Sequence, residues 1–198
     1  VDTLASICVN EHLPDELNDI VRSLLSRCET DTVHAAIRAI GRRGDPAQYV
    51  GRTSILKMID AGTSIQTWMI EFALRSEDRS MLDALLSKPL PGTADAIIDS
   101  FDNLIAMRRD DRTVYLLEAI AAEPSLLVHQ PLRRAMSKAL LVAAEPMVAH
   151  AFAMESVRLE PQDAVCAAVA MDAAIATGDS ELILTTADVV LNMRSRSS

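Results

Sequence analysis

The chain has 198 residues and a formal net charge of −9, and 49% of its residues are hydrophobic while only 3% are aromatic. The apolar fraction excludes disorder, six Gly and three Cys exclude a collagen-like or disulfide-stapled chain, and the acidic excess argues against general affinity for nucleic acid or an anionic membrane. Its apolar residues are chiefly Ala and Leu, 29 and 23 of them, which suits packed helices; sheets favour β-branched and aromatic residues with Gly-rich turns.

Apolar positions recur at three- and four-residue spacing almost throughout, as in Val33, Ala36, Ile37 and Ile40 or Leu116, Leu117 and Ile120. In chain order the pattern predicts twelve helices, over 2–10, 14–28, 31–42, 46–60, 64–75, 79–88, 93–109, 112–123, 130–144, 146–159, 162–177 and 180–193. Pro14, Gly44-Asp45-Pro46, Gly62-Thr63, Pro89-Leu90-Pro91-Gly92, Pro124, Pro131, Pro146, Pro161 and Gly178-Asp179 punctuate the runs. An Asp, Ser or Thr ahead of such a run is an N-cap signal, and Pro46 behind Asp45 takes the favoured first helical position.

The most apolar stretches are Ala135 to Met154, broken by Lys138, Glu145 and Pro146, and Ala164 to Gly178, broken by Asp172. Neither offers the roughly 20 clean apolar residues of a membrane span. Cys8, Cys28 and Cys166 are odd in number and far apart, so they read as reduced core thiols of a cytoplasmic protein. Arg outnumbers Lys 16 to 3, which with the Ala excess suggests a GC-rich bacterial genome. The chain opens on Val1 with no signal-peptide pattern and reads as a fragment of a longer protein. Residues 1–198 are expected to form a single α-helical repeat domain, with 194–198 a flexible tail.

Asp45, Asp78 and Asp111 stand 33 residues apart at expected helix starts; steps of 34 then reach Glu145 and Asp179. The helices that follow read PAQYVGRTSILKMID, RSMLDALLSK, RTVYLLEAIAAE, PMVAHAFAMESVRLE and SELILTTADVVLNM, and PDELNDIVRSLLSRC fits as an earlier one. The last unit, LEPQDAVCAAVAMDAAIATGDSELILTTADVVL, opens on Pro-x-Asp-Ala and turns at Gly178-Asp179. A 33–34-residue helical hairpin with this turn resembles the tetratricopeptide repeat class of α-solenoids. The resemblance implies an all-α fold: a right-handed superhelical array of about six helix-turn-helix repeats, first helices lining the concave side. The first-helix aromatic slots of that family hold Ala167 and Ala174 here, and the spacing stretches between the third and fourth units. A HEAT-like array, with units of about 40 residues, is the nearest competitor. The helix AVCAAVAMDAAIA is apolar nearly all round apart from Asp172, so it is expected to lie buried between hairpins.

Arg42, Arg75 and Arg108 also repeat at 33, with Arg43 and Arg109 beside two of them. They read as cations complementing helix C-termini, worth about 0.3–1 kcal/mol each, or as partners of the caps Asp45, Asp78 and Asp111. A basic stripe along a groove is the functional alternative. The family geometry implies that His34, Arg38, Thr67, Glu71, Arg75, Ser100, Arg108, Arg134 and Lys138 face inward. Seven of these, His34, Arg38, Glu71, Arg75, Arg108, Arg134 and Lys138, form the expected partner-binding set. In the middle units the surface is net basic on an acidic chain, which would focus an acidic peptide, chain terminus or partner surface, with Arg binding carboxylates in bidentate fashion. A solvated polar face is the plain alternative.

Trp68 and Phe72, four apart, read as core, and Tyr49 and Tyr115 as equivalent positions between hairpins. His12, His34, His129 and His150 show no metal-ligand spacing. Glu155-Ser156, followed by Pro161, faintly resembles the Glu-Ser segment of soluble lytic transglycosylases, but that family's Gly-Leu-Met-Gln stretch is absent. No phosphate-binding loop, nucleophile elbow or Cys–His setting is visible. No catalytic residue, metal or cofactor is therefore expected. The expected role is a non-enzymatic protein-protein interaction module or scaffold, able to form homo-oligomers through its end hairpins. The alternatives are a helical positioning domain excised from a larger enzyme and, less favoured by the charge, an RNA-binding helical repeat.

Overall fold

A computed structural model describes residues 23, 25–27, 33, 36, 50–87 and 90–195. Among the described residues all regular structure is helical. The α-helices are α1 (Arg52–Asp60), α2 (Thr67–Arg75), α3 (Arg79–Leu86), α4 (Thr93–Ala106), α5 (Asp110–Ala121), α6 (Gln130–Ala143), α7 (Pro146–Leu159), α8 (Ala164–Thr177) and α9 (Ser180–Ser195), with a 3-10 helix over Pro124–Val128 before α6. The helix expected over 2–10 lies outside the described residues; those over 14–28 and 31–42 are represented by Ser23, Leu25, Ser26, Arg27, Val33 and Ala36, all helical.

Several boundaries differ from expectation: the helix expected over 64–75 starts at Thr67, that over 112–123 spans Asp110–Ala121, that over 162–177 starts at Ala164, and that over 180–193 runs to Ser195, into the expected tail. Two further differences have local reasons. The helix expected over 46–60 begins only at Arg52, because Gly51 takes an extended N-cap conformation (φ −91°, ψ 168°) and its carbonyl receives the Ser54 and Ile55 N–H groups. The expected helix over 93–109 stops at Ala106, since Arg108 turns left-handed at φ 53°. The 3-10 turn has Pro124 at its start and was not anticipated.

The chain divides into two units, residues 1–96 and 97–198. In the first, α3 packs against both α1 and α2. Their facing residues recur at helical spacing: Ile55, Met58 and Ile59 on α1, Met69, Ile70 and Leu74 on α2, and Met81, Leu82, Leu85 and Leu86 on α3 are all buried. Trp68 and Phe72, expected in the core, are half-buried. Where α2 ends, Glu77 is left-handed (φ 52°) and the Asp78 N–H reaches back to the Ala73 carbonyl, a closed helix stop that leaves Asp78 to cap α3. Further on, Pro91 accepts from the Ile65 N–H and the Ser64 hydroxyl, pressing Gly92 (φ 80°) onto the Ile65 carbonyl.

The second unit is built around α8. This helix packs against α6, α7 and α9, most extensively against α7, while α6 also packs on α5 and α7. Small residues permit the close approach: Ala153 of α7 sits with Val169 and Ala170 of α8, and Val157 with Cys166 and Ala167. The expectation that α8 is buried all round holds for the face carrying Cys166, Ala167, Ala170, Ala173 and Ala174. It fails for the opposite stripe, Ala168, Asp172 and Ile175, which is exposed. Gln130 to Ala164 and Pro146 to Ser180 are both 34 positions apart, so α6–α7 and α8–α9 start in register.

Candidate functional site

Of the expected partner-binding residues, His34 and Arg38 lie outside the described residues, as do Arg42, Arg43, Asp45 and Tyr49. Thr67 and Glu71 are half-buried and Arg75 is exposed at the end of α2. Ser100 is completely buried, so it lines no surface: its position on α4 faces the core beside Ile97, Phe101 and Leu104 in the helical repeat. Arg108 stands beyond the end of α4, exposed in the left-handed turn. Arg134 and Lys138 lie one turn apart on α6, the first half-buried and the second exposed.

Arg134 is engaged within the chain. Its Nε donates to Asp163 Oδ2 at 2.8 Å, and Gln130 Nε2 donates to the same oxygen at 3.3 Å. The other carboxylate oxygen of Asp163 accepts the backbone N–H groups of Val165 and Cys166, capping α8. Burial pushes the Asp163 carboxyl up, but Arg134, the Cys166 N–H and Gln130 together hold it below the usual carboxylate value. The same device occurs in the first unit. Asp78 caps α3 through Oδ1, while its Oδ2 accepts from Arg52 Nε of α1 at 2.6 Å. Ser80, together with Met81 N–H and Arg52, lowers the Asp78 carboxyl against the opposing effect of burial. The cap Asp78 is thus partnered by Arg52 two helices earlier. Asp111 is no cap: it lies in the first turn of α5, whose N-cap is Arg109.

Arg133, next to Arg134, points the other way into the unit. Its side chain is 7% exposed; Nη1 donates to the Leu127 and Val128 carbonyls at the end of the 3-10 turn, and Nη2 to Glu160 Oε1 at 2.6 Å. The signal is a charge whose neighbours at helical spacing, Met136 and Leu140, are apolar. Ser137 in turn donates to the Arg133 carbonyl and lies 3.7 Å from Cys166 Sγ. Burial raises the Cys166 thiol pKa, which leaves it protonated and unreactive.

A cleft of about 330 Å³ opens between α7 and α9, lined by His150, Met154, Arg158, Leu182, Thr186 and Val189 among others. The Thr186 hydroxyl donates to the Leu182 carbonyl at 2.7 Å, so its oxygen accepts at 2.9 Å from His150 Nε2–H. That places a proton on Nε2, and burial, which holds His150 below the usual imidazole pKa, favours the neutral ring. Sequence reasoning missed this pair because its members are 36 residues apart and only packing joins them. Arg158 is paired with Glu155 at 3.1 Å, and both are exposed. Glu155 therefore lacks the walled pocket that a glycosidase acid requires.

Among the described residues no group of three or more His, Cys, Asp and Glu side chains is placed to hold a metal ion, and no helix is long and apolar enough to cross a membrane. No family model, curated protein or solved structure matches the chain.

Proposed function

We propose that this chain is a protein-interaction module, a degenerate tetratricopeptide-like α-solenoid of a bacterial cytoplasmic protein. It receives an acidic segment of a partner on a locally basic face. The observation that carries this reading is on α6: Lys138 is exposed, one turn from the Asp163-paired Arg134, on a chain whose net charge is −9. Opposite local charge on an acidic molecule steers an anionic segment to one place and repels it elsewhere.

The repeat reading is supported by the 34-residue register of α6–α7 and α8–α9 and by the way α8 lies against both α6 and α7. In a solenoid each hairpin buries its apolar face only by stacking on its neighbour. Exposed apolar side chains on the outer helices, Met147 and Val148 on α7 and Leu184 and Leu191 on α9, fit a surface used for contact.

Site-specific photo-crosslinking tests the reading. A benzophenone side chain at Lys138 should label discrete proteins from the source cell, and an acidic peptide should compete the adducts away. The same probe at the exposed Val128 serves as reference. Identical labelling from both positions, or adducts insensitive to the acidic peptide, would contradict it. A helical domain that positions the catalytic part of a larger enzyme is the second reading, and adducts confined to one enzyme would favour it.

A further inference from the structure

We propose that the cleft between α7 and α9 binds a small amphipathic monoanion, a carboxylate on a hydrocarbon body, with the carboxylate held by Arg158. The inference goes beyond the interaction-module reading and does not depend on it, since it assigns a small-molecule site within the second unit.

The cleft lies between two helices that are both in place. On α7, Met154 packs on the Ala153, Val169 and Ala170 cluster, and Val157 packs on Cys166 and Ala167, so this side of α7 is turned to the hairpin that follows it. On α9, Leu182, Thr186 and Val189 line the cleft; at spacings of three, four and seven they share the side that faces back to α7. Thr186 is only 2% exposed there. Both helices pack on α8, and the 2.9 Å bond between His150 and Thr186 bridges them directly. That bridge satisfies the polar atoms at its level and fixes the spacing of the two walls, so the site is formed before a ligand arrives.

The lining defines the occupant. A volume of about 330 Å³ suits a small molecule. Ala151, Met154, Leu182 and Val189 offer apolar walls to a hydrocarbon body. Among the lining residues Arg158 carries the formal charge, because burial favours the neutral ring of His150. Arg158 Nη1 donates to Glu155 at 3.1 Å, and its other N–H groups have no partner among the described residues. A guanidinium with donors to spare holds a carboxylate through two parallel bonds. Glu155 sets the charge of the head group: beside its carboxylate a monoanion is repelled less than a phosphate dianion.

The test titrates the full chain with octanoate, and with octanol and octylammonium as neutral and cationic counterparts, while NMR follows assigned methyl resonances. Octanoate should shift Met154, Leu182 and Val189 saturably and bind at least about tenfold tighter than either counterpart. Arg158→Gln should lower octanoate affinity about tenfold, to the level of octanol. Ala151→Trp, at an exposed position on α7, fills the cleft and should remove octanoate binding. Thermal unfolding establishes that both variants fold.

Absence of a saturable shift overturns the proposal, as does equal affinity for octanoate and octanol or a preference that survives Arg158→Gln. Shifts of equal size at the exposed Met147, Leu184 and Leu191 indicate adsorption on apolar surface and overturn it as well. Octanoate binding unchanged by Ala151→Trp overturns the assignment to this cleft. These outcomes concern the α7–α9 cleft alone, so the Lys138 crosslinking result decides the interaction-module reading separately.

Discussion

Asp163 Oδ2 accepts from Arg134 Nε at 2.8 Å while its other oxygen caps α8, so one carboxylate fixes both the start of a helix and its distance from the helix two before. Arg52 and Asp78 repeat the arrangement at 2.6 Å between α1 and α3. This role for Arg134 competes with the expectation that it binds a partner. A charge reversal at Arg134 would disturb the α6–α8 contact as well as any partner site, so exposed positions make better probes.

Both carboxyls are held below their usual value, which ties stability to acid. The unfolded Asp titrates near about 3.9, above the folded value. Their contribution is therefore complete at pH above the unfolded value and is lost as pH falls through the folded one. Urea midpoints measured between pH 7 and pH 3 should fall less steeply for Asp163→Asn or Asp78→Asn than for the parent chain. An unchanged slope in both variants would show that the ion pairs contribute nothing to the acid response.

Arg133 is a structural cation. Replacing it with Met strands the Leu127 and Val128 carbonyls and leaves Glu160 without its partner. Because Glu160 is about one-third exposed, the expected loss is about 2–3 kcal/mol, below that of a fully buried pair. Denaturant unfolding measures it, and a change under about 0.5 kcal/mol, the range of ordinary surface substitutions, would contradict the role.

Two left-handed backbone positions should both favour glycine. Arg108 holds φ 53° without being Gly, so Arg108→Gly relieves left-handed strain and should add about 0.5–1 kcal/mol. Gly92 holds φ 80°, and a Cβ there would meet the Ile65 carbonyl oxygen at 2.9 Å, so Gly92→Ala should cost about 1–3 kcal/mol. Thermal unfolding of the two variants provides the comparison.

Helix positions were legible because each depends on local signals: apolar spacing, Asp78 and Asp179 as caps, Pro146 at a first turn and Gly178 at a left-handed stop. Glu77 and Arg108 do the work of such glycines without being glycine, so a composition-based reading passes over them. The 33-residue spacing of the Asp residues was also an incomplete guide. Asp78 and Asp179 accept backbone N–H groups, whereas Asp111 falls inside a helix and Glu145 caps without a side-chain bond. The candidate surfaces were harder to read. Arg133 and Arg134 are neighbours in sequence with different partners, and the His150–Thr186 contact exists only once α7 and α9 are packed. Such long-range relations have no signature within a 15-residue window.

The basic-face reading meets its most direct test in a fluorescence-anisotropy titration of a labelled 15-residue peptide rich in Glu and Asp, alongside a Lys-rich counterpart, at low and moderate salt. The parent chain should bind the acidic peptide and not the basic one, despite its net charge of −9. Lys138→Glu should weaken that binding at least about fivefold with no loss of thermal stability. Preference for the basic peptide, or acidic-peptide affinity unchanged by the reversal at Lys138, would contradict a locally basic recognition face.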